Sequence, residues 1–392
     1  MPKYKFPLMH NNITSADLNK VIRLLKSPNP ILTQSKNVRT FENNWSKWLG
    51  VKYSVFVNSG SSANLLAIKA IKDLFGPGEI IVPSLTWVSD IASVLQNNFD
   101  LKFVDINLNN LSMNLDDVIK NVNKRTRAVF ITHAQGFNGL NNKFLKFLRD
   151  RKIPLVEDVC ESHGAFYKKN KLGTYGLISN FSFYYAHHLS TIEGGMICTN
   201  DKNIYEMIRM YRSHGLVREI DDEKIKNKII NNNYHLHKEF IFNFPAYNVR
   251  NNEINAIIGI NQLKRLNKNI IKRNQNHKLF LNNINKEIYF TDFDLAGSSN
   301  YAFNLILKKP DKLLANKLIK IMEKEGIEFR RGSAGGGNQL RQPYLKGLFP
   351  QNYYKNFPIT EHIHFFGFYI GNYPDLNKKD ILHICNVINS VK

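Results

Sequence analysis

Tyr53-Ser54-Val55-Phe56-Val57-Asn58-Ser59-Gly60-Ser61-Ser62-Ala63-Asn64 decides the fold class. A β-branched and aromatic run makes a strand, a Gly-containing turn follows, and a helix begins that keeps apolar residues at helical spacing through Ala63–Phe75. The same unit then recurs. Short runs at Glu79–Val82, Leu101–Asp105, Ala128–Thr132, Pro154–Glu157 and Ser179–Tyr184 read as strands. Val88–Asn97, Leu115–Val122 and Phe144–Arg149 read as the helices among them. Strands alternating with helices predict βαβ units, hence an α/β fold with a mostly parallel central sheet flanked by helices.

Further along, the pattern changes. Asn252–Leu266 and Lys268–Ile284 read as two long helices. Strand-like Tyr301–Leu307 and helix-like Lys312–Glu325 and Lys378–Val391 predict a smaller α+β domain. The boundary is expected near Pro245, giving a large domain over 1–245, with the N-terminal segment, and a small C-terminal domain over 246–392.

Composition narrows the function classes. The chain has 392 residues, 43% hydrophobic and 12% aromatic, so it can bury a large core and is not disordered overall. No stretch approaches the length of a membrane span. The opening Met1-Pro2-Lys3-Tyr4-Lys5-Phe6 lacks the apolar run of a secretory signal, and a reducing cytoplasm is the expected compartment. Cys160, Cys198 and Cys385 are too few and too scattered for a disulfide framework, an iron–sulfur cluster or a Cys-built zinc site, so no metal is expected. The formal charge of +22 comes from lysines spread along the chain, without a long basic tail. That predicts a solvated basic surface that can help recruit an anionic small molecule, rather than a nucleic-acid partner.

Three motifs carry chemistry. In the Asn58–Asn64 turn, Gly60, Ser61 and Ser62 would aim backbone N–H groups and a helix N-terminus at one point, which suits a phosphate; an ordinary Ser N-cap would look the same. In Val156-Glu157-Asp158-Val159-Cys160-Glu161-Ser162-His163-Gly164, a hydrophobic strand runs into acids at its C-terminal end, where open parallel sheets bind ligands. Asp158 there could hold a protonated ring nitrogen or merely cap a helix. In Asn180-Phe181-Ser182-Phe183-Tyr184-Tyr185-Ala186-His187-His188-Leu189-Ser190-Thr191-Ile192-Glu193-Gly194-Gly195, a strand delivers Ser182 and then two histidines. Adjacent side chains point apart and no third ligand is evident, so an acid–base histidine is favoured over a metal or structural pair.

Taken in order, these motifs resemble the sugar-nucleotide aminotransferases of the aspartate-aminotransferase fold, the fold type I enzymes that depend on pyridoxal phosphate. The resemblance runs from Leu32-Thr33 and Phe41-Glu42 to the C-terminal domain. It implies that Gly60, Ser61, Ser62 and Ser182 hold the cofactor phosphate, that Asp158 pairs with the pyridine nitrogen, and that Glu161 also borders the cofactor. It implies that Trp87, in Pro83-Ser84-Leu85-Thr86-Trp87, stacks on the ring. Asn248, in Tyr247-Asn248-Val249-Arg250, matches an Asn that reaches the neighbouring subunit's phosphate, which implies a homodimer with shared active sites.

One departure is informative. The family places its Schiff-base Lys five residues after the strand Ser and six before the Glu of Glu-Gly-Gly, and here that position is His187. An imidazole cannot make that bond, so the cofactor must be held non-covalently. Lys168, Lys169 and Lys171 are near in sequence but out of register. The Lys-to-His change resembles two dehydratase groups that act at C3 of 4-keto-6-deoxy sugar nucleotides. One needs an iron–sulfur cluster, which three scattered cysteines cannot supply. The other acts on a GDP-linked sugar without a cluster, and this chain looks like it. The resemblance then implies L-glutamate as amino donor, interconversion of pyridoxal and pyridoxamine phosphate, and His187 as base and then acid with a near-neutral pKa. His214 and Arg330 are the candidate substrate contacts, Arg330 as a clamp for the carboxylate of glutamate; surface residues would look alike in sequence. Gly335-Gly336-Gly337-Asn338-Gln339 reads as a mobile loop near the entrance. Another 4-keto sugar nucleotide as substrate, or a silent cofactor-binding homologue, stays open.

Overall fold

The computed structural model describes residues 4–391; Met1-Pro2-Lys3, where the reading of the N-terminus begins, and Lys392 lie outside the described residues. The chain opens with α1 (Ser15–Leu25) and α2 (Lys36–Leu49). Then come β1 (Tyr53–Val57), α3 (Gly60–Phe75), β2 (Glu79–Pro83), α4 (Val88–Gln96), β3 (Asp100–Val104), α5 (Leu115–Asn121), β4 (Thr126–Thr132), α6 (Asn142–Asp150) and β5 (Leu155–Asp158). A small hairpin, β6 (Phe166–Tyr167) with β7 (Asn170–Lys171), precedes β8 (Ile178–Ser182) and β9 (Gly195–Thr199). Next follow α7 (Lys202–Arg212), α8 (Glu223–Asn232), α9 (Glu253–Asn283), β10 (Ala302–Ile306) and α10 (Lys312–Lys324). The last elements are β11 (Phe329–Arg331), α11 (Pro358–Phe366), β12 (Gly367–Gly371) and α12 (Lys378–Asn389).

The central sheet has the order β1-β9-β8-β5-β4-β2-β3. Only β9 runs against its neighbours, so the sheet is mostly parallel, as the alternation of elements predicts. Both faces are covered. Ile81, Val129 and Ile131 pack with Phe41 and Trp45 of α2, while Ile80, Val82, Ala128 and Phe130 pack with Leu66, Ala67 and Ile71 of α3. Alternate residues of one strand thus serve opposite cores, which is why these strands read as continuous apolar runs. A second sheet, β10-β12-β11, is antiparallel and forms the small unit with α10, α11 and α12.

The two helices expected between Asn252 and Ile284 are one helix of 31 residues, α9. No Pro or Gly interrupts it at Asn267, the expected break, and Asn267 instead accepts a hydrogen bond from Trp48 Nε1 at 2.9 Å. Ala256, Leu266 and Ile270 of α9 join the core of the large unit, and Phe280 and Leu281 join that of the small one. Phe6 packs in the small unit and bridges to Ile327, although sequence assigns the N-terminal segment to the large domain. We propose that 1–245 and 246–392 remain the folding units, with this segment and α9 tying them together. No helix among the described residues is long and apolar enough to cross a membrane.

Candidate active site

The C-terminal ends of β4, β5 and β8 meet the N-terminal turns of α3 and α4 around a cavity of about 400 Å³. This is the carboxyl edge of the parallel strands, where the fold leaves room for a ligand. Gly60, Ser61, Trp87, Asp158, Glu161, Ser182, His187 and Arg330, named from sequence, all line it.

One wall is the turn into α3. Ser59 caps the helix: its hydroxyl accepts the Ser62 N–H at 3.1 Å. A Cβ on Gly60 would stand 2.6 Å from Ser182 Cβ, and one on Gly195 would stand 2.2 Å from the Ser59 carbonyl oxygen. The helix N-terminus, the end of β8 and the start of β9 therefore close on one another only because both positions lack a side chain. The Glu193-Gly194-Gly195 turn is the geometric partner of the Ser59–Ser61 turn. Ser62, in contrast, does not line the cavity; its hydroxyl donates to Asn58 Oδ1 at 2.6 Å.

Strand β5 splits its two acids by alternation. Glu157 turns away from the cavity, accepting backbone N–H groups of Gly173, Tyr175 and Gly176 and facing the buried His133 at 3.2 Å. Asp158, only 3% exposed, faces the cavity. Its Oδ1 accepts the Cys160 N–H at 2.8 Å and its Oδ2 accepts from Asn64 Nδ2 at 3.1 Å. Glu161 accepts the Gln135 N–H at 2.8 Å, and burial, opposed by that bond, pushes its carboxyl up to about 7. Trp87 stands 55% exposed on another wall, its indole open to a flat ligand.

Contrary to the expectation for adjacent residues, the two histidines do not point apart: both rings sit against His163 and Tyr301, yet their surroundings differ. His188 is buried with Nε2 3.1 Å from the Ser299 carbonyl oxygen, so it is structural. His187 lines the cavity; its Nδ1 is buried without a hydrogen-bond partner, and the His163 ring lies 5.9 Å behind it. Its pKa is not near neutrality. Burial, more than offsetting the attraction of Asp158, lowers it to about 4, so the ring is neutral at pH 7 and ready to accept a proton. No lysine among the described residues lines the cavity. Lys171 donates instead to the Trp48 carbonyl oxygen at 2.6 Å on the β6–β7 hairpin.

The remaining candidates lie differently. Arg330 reaches the cavity rim, half-exposed, with Nη1 3.1 Å from Glu328 Oε1. His214 and Asn248 are exposed and do not line this cavity. An antiparallel bridge between Ser213 and Asn248 sets the two side by side at the surface. The glycine-rich loop is tied down rather than mobile. A Cβ on Gly335 would stand 2.0 Å from the Thr86 carbonyl oxygen, the Gln339 N–H donates to the Ser84 carbonyl at 3.1 Å, and Asn338 Nδ2 donates to Glu361 Oε1 at 2.8 Å. Sequence reading missed Asn64, Asp90 and Thr132, which form a buried polar cluster beneath Asp158. The one available signal was an acid on the apolar face of α4, beside Ile91 and Val94.

The residue set fits pyridoxal phosphate. A glycine-gapped helix N-terminus suits the phosphate, an open indole suits the ring, and a buried carboxylate suits a protonated pyridine nitrogen. The chain is also similar to proteins of known structure and activity. The chain is 32% identical over 376 residues to "GDP-4-keto-6-deoxy-D-mannose 3-dehydratase" of Escherichia coli O55:H7, covering 94% of this chain and 95% of that one. It superposes with a TM-score of 0.88 and 30% identity, over 98% of this chain and 99% of the other, on the E. coli GDP-4-keto-6-deoxy-D-mannose-3-dehydratase with bound hydrated PLP. A further crystal structure of GDP-4-keto-6-deoxymannose-3-dehydratase, with a trapped PLP-glutamate geminal diamine, matches with a TM-score of 0.88 and 29% identity over 98% of this chain and 100% of that one. The model of the DegT/DnrJ/EryC1/StrS aminotransferase family matches residues 11–389, and the chain belongs to that family.

Proposed function

We propose that this chain is a pyridoxal-phosphate-dependent dehydratase that removes the C3 hydroxyl of a GDP-linked 4-keto-6-deoxy sugar in the cytoplasm, with L-glutamate as amino donor. The product is a 3,6-dideoxy-4-keto sugar nucleotide, with ammonia released. The observation that carries this reading is a cavity that His187 lines and that, among the described residues, no lysine lines. The 32% identity to a relative so named supports the substrate class.

When bound, the cofactor takes up an amino group from glutamate and, through that amine, stores electrons while bonds at the sugar's C3 and C4 rearrange. The chain's residues do the rest. The N-terminus of α3 at Gly60 and Ser61, with Ser182, would bind the phosphate; Ser62 supports the turn through Asn58. Trp87 would hold the ring from one face and Asp158 its nitrogen, with Glu161 beside them. His187, neutral at pH 7, takes a proton onto its imidazole. Because its pKa is lowered to about 4, the imidazolium is a stronger acid than a free histidine and gives the proton up readily to the departing C3 oxygen. A lysine at 187 would bond to the cofactor and compete with the amine; an imidazole moves protons without doing so. Arg330 at the rim would meet an anionic group, the carboxylate of glutamate. His214 and Asn248, adjacent at the surface and away from their own chain's cavity, would complete the active site of a second copy in a homodimer.

The test is incubation with glutamate, pyridoxal phosphate and a panel of 4-keto-6-deoxy sugar nucleotides, read by mass spectrometry. Loss of the C3 oxygen from the GDP-linked member supports the proposal. Turnover of another member alone corrects the substrate, and turnover of none identifies a silent homologue.

A further inference from the structure

Beneath Asp158 lies a second carboxylate that this chemistry does not use. Asp90, in the first turn of α4, is fully buried. Asn64, from α3, bridges the two acids through one amide nitrogen, which donates to Asp90 Oδ1 at 2.6 Å and to Asp158 Oδ2 at 3.1 Å. Asp90 Oδ2 accepts from Thr132 Oγ1 at 2.7 Å and from Thr86 Oγ1. Asp158 Oδ1 accepts the Cys160 N–H. Every one of these partners is neutral.

Two buried carboxylates bridged by one amide nitrogen resist ionising together without a nearby cation. The titratable groups that sense them do not supply one; Glu161, which feels Asp158, is itself an acid, pushed up to about 7 chiefly by burial. Cys160 and Tyr344, which feel the charge of Asp90, are pushed up and stay neutral. His187, which feels Asp158, is pushed down and stays neutral as well. Burial first, then the charge of Asp158 and a hydrogen bond with it, hold Asp90 well above the ordinary carboxylate range.

We propose that Asp90 and Asp158 form a carboxyl–carboxylate dyad that retains one shared proton at neutral pH, Asp90 being the positioning residue that fixes the charge Asp158 presents to the cavity. The dyad itself stands on this chain's contacts; its catalytic meaning rests on the reading of Asp158 as the pyridine partner. Asn64 and the Cys160 N–H orient Asp158, while the retained proton leaves the pair with one charge. The ring nitrogen then keeps its own proton and meets a single, oriented negative charge. At alkaline pH the shared proton leaves and the dyad becomes doubly charged.

Isotope-edited infrared spectroscopy of the full chain, with labelled aspartate and without added cofactor, reads the dyad directly. A protonated-carboxyl carbonyl band is expected at neutral pH, fading as the pH is raised. Asp90→Asn should abolish it. Asp158→Asn should retain it, since a lone buried Asp90 still avoids ionising. Absence of the band in the wild type, or its persistence in Asp90→Asn, overturns the dyad. Thermal melting supplies a second readout. A carboxyl with a raised folded pKa stabilises the protein fully below the unfolded carboxylate range, and that contribution is lost as pH rises. The melting temperature of Asp90→Asn should therefore gain on wild type between acid and alkaline pH; a pH-independent difference would also overturn the dyad. Adding pyridoxal phosphate separates the two claims. An alkaline spectral step in the wild type that Asp90→Asn lacks supports the link to the ring. The same step in both, with the infrared result intact, refutes the link between Asp90 and the ring and leaves the dyad standing.

Discussion

His187 stands among rings, with Tyr301 5.7 Å and His163 5.9 Å away between centroids, and no lysine among the described residues lines its cavity. Burial leaves its ring unprotonated at neutral pH and so free to accept a proton, while the contacts proposed to hold the cofactor come from α3, α4, β5 and β8. Replacing His187 by Asn should therefore slow dehydration by roughly 100-fold or more, the usual worth of a general acid–base group. Cofactor affinity, read by absorbance titration, should change little. The position was legible in sequence because its spacing to Ser182 and to Glu193 is local and fixed. Its depressed pKa was not, because burial is a property of the assembled cavity. Asp90 was illegible for a different reason. An acid in the first turn of a helix looks like an ordinary partner of the helix dipole, and only the fold brings Asn64 and Asp158 to it.

The α3 turn is the element proposed to hold the cofactor phosphate. Its geometry requires glycine at 60, where a Cβ would meet Ser182 at 2.6 Å. Gly60→Ala should push the helix start off β8, costing about 1–3 kcal/mol by overpacking. It should weaken cofactor binding by roughly tenfold, since phosphate contacts tolerate little displacement. Urea unfolding and a cofactor titration measure the two effects separately. Elements such as β1 and β4 were readable because both faces are buried and their runs are uninterrupted. The α9 helix was misread at Asn267, a polar residue with only modestly poorer helix propensity, whose tertiary partner Trp48 was invisible from sequence. Strand β12, Gly367-Phe368-Tyr369-Ile370-Gly371, went unread because it continues the aromatic text of α11 without a turn signal.

Across the whole molecule, three buried imidazoles and the half-buried His187 predict acid lability. His163, His187, His188 and His277 are all pushed below the ordinary histidine value, burial being the first cause in each. Between about pH 6.5 and 4 the unfolded chain binds protons that the folded chain refuses. Their stabilising contribution is present in full above pH 6.5 and is lost as pH falls through the folded values. For His277, fully buried with a pKa of about 4, the loss is on the order of 3 kcal/mol. Urea midpoints of the cofactor-free chain should fall steeply over this window. His277→Asn, which can keep the donor to the Ala302 carbonyl oxygen, should flatten the slope.

The proposed mechanism requires residue 187 to face the reactive end of the cofactor. The most direct test is His187→Lys, incubated with pyridoxal phosphate, reduced with borohydride, digested and mapped by mass spectrometry. A primary amine at this position should bond to the cofactor aldehyde, and reduction should fix the cofactor's mass on residue 187. Dehydration should fall at the same time, because the amine now competes for the aldehyde. A variant that binds the cofactor yet carries no added mass at residue 187 would contradict the placement of His187, and with it the proposed mechanism.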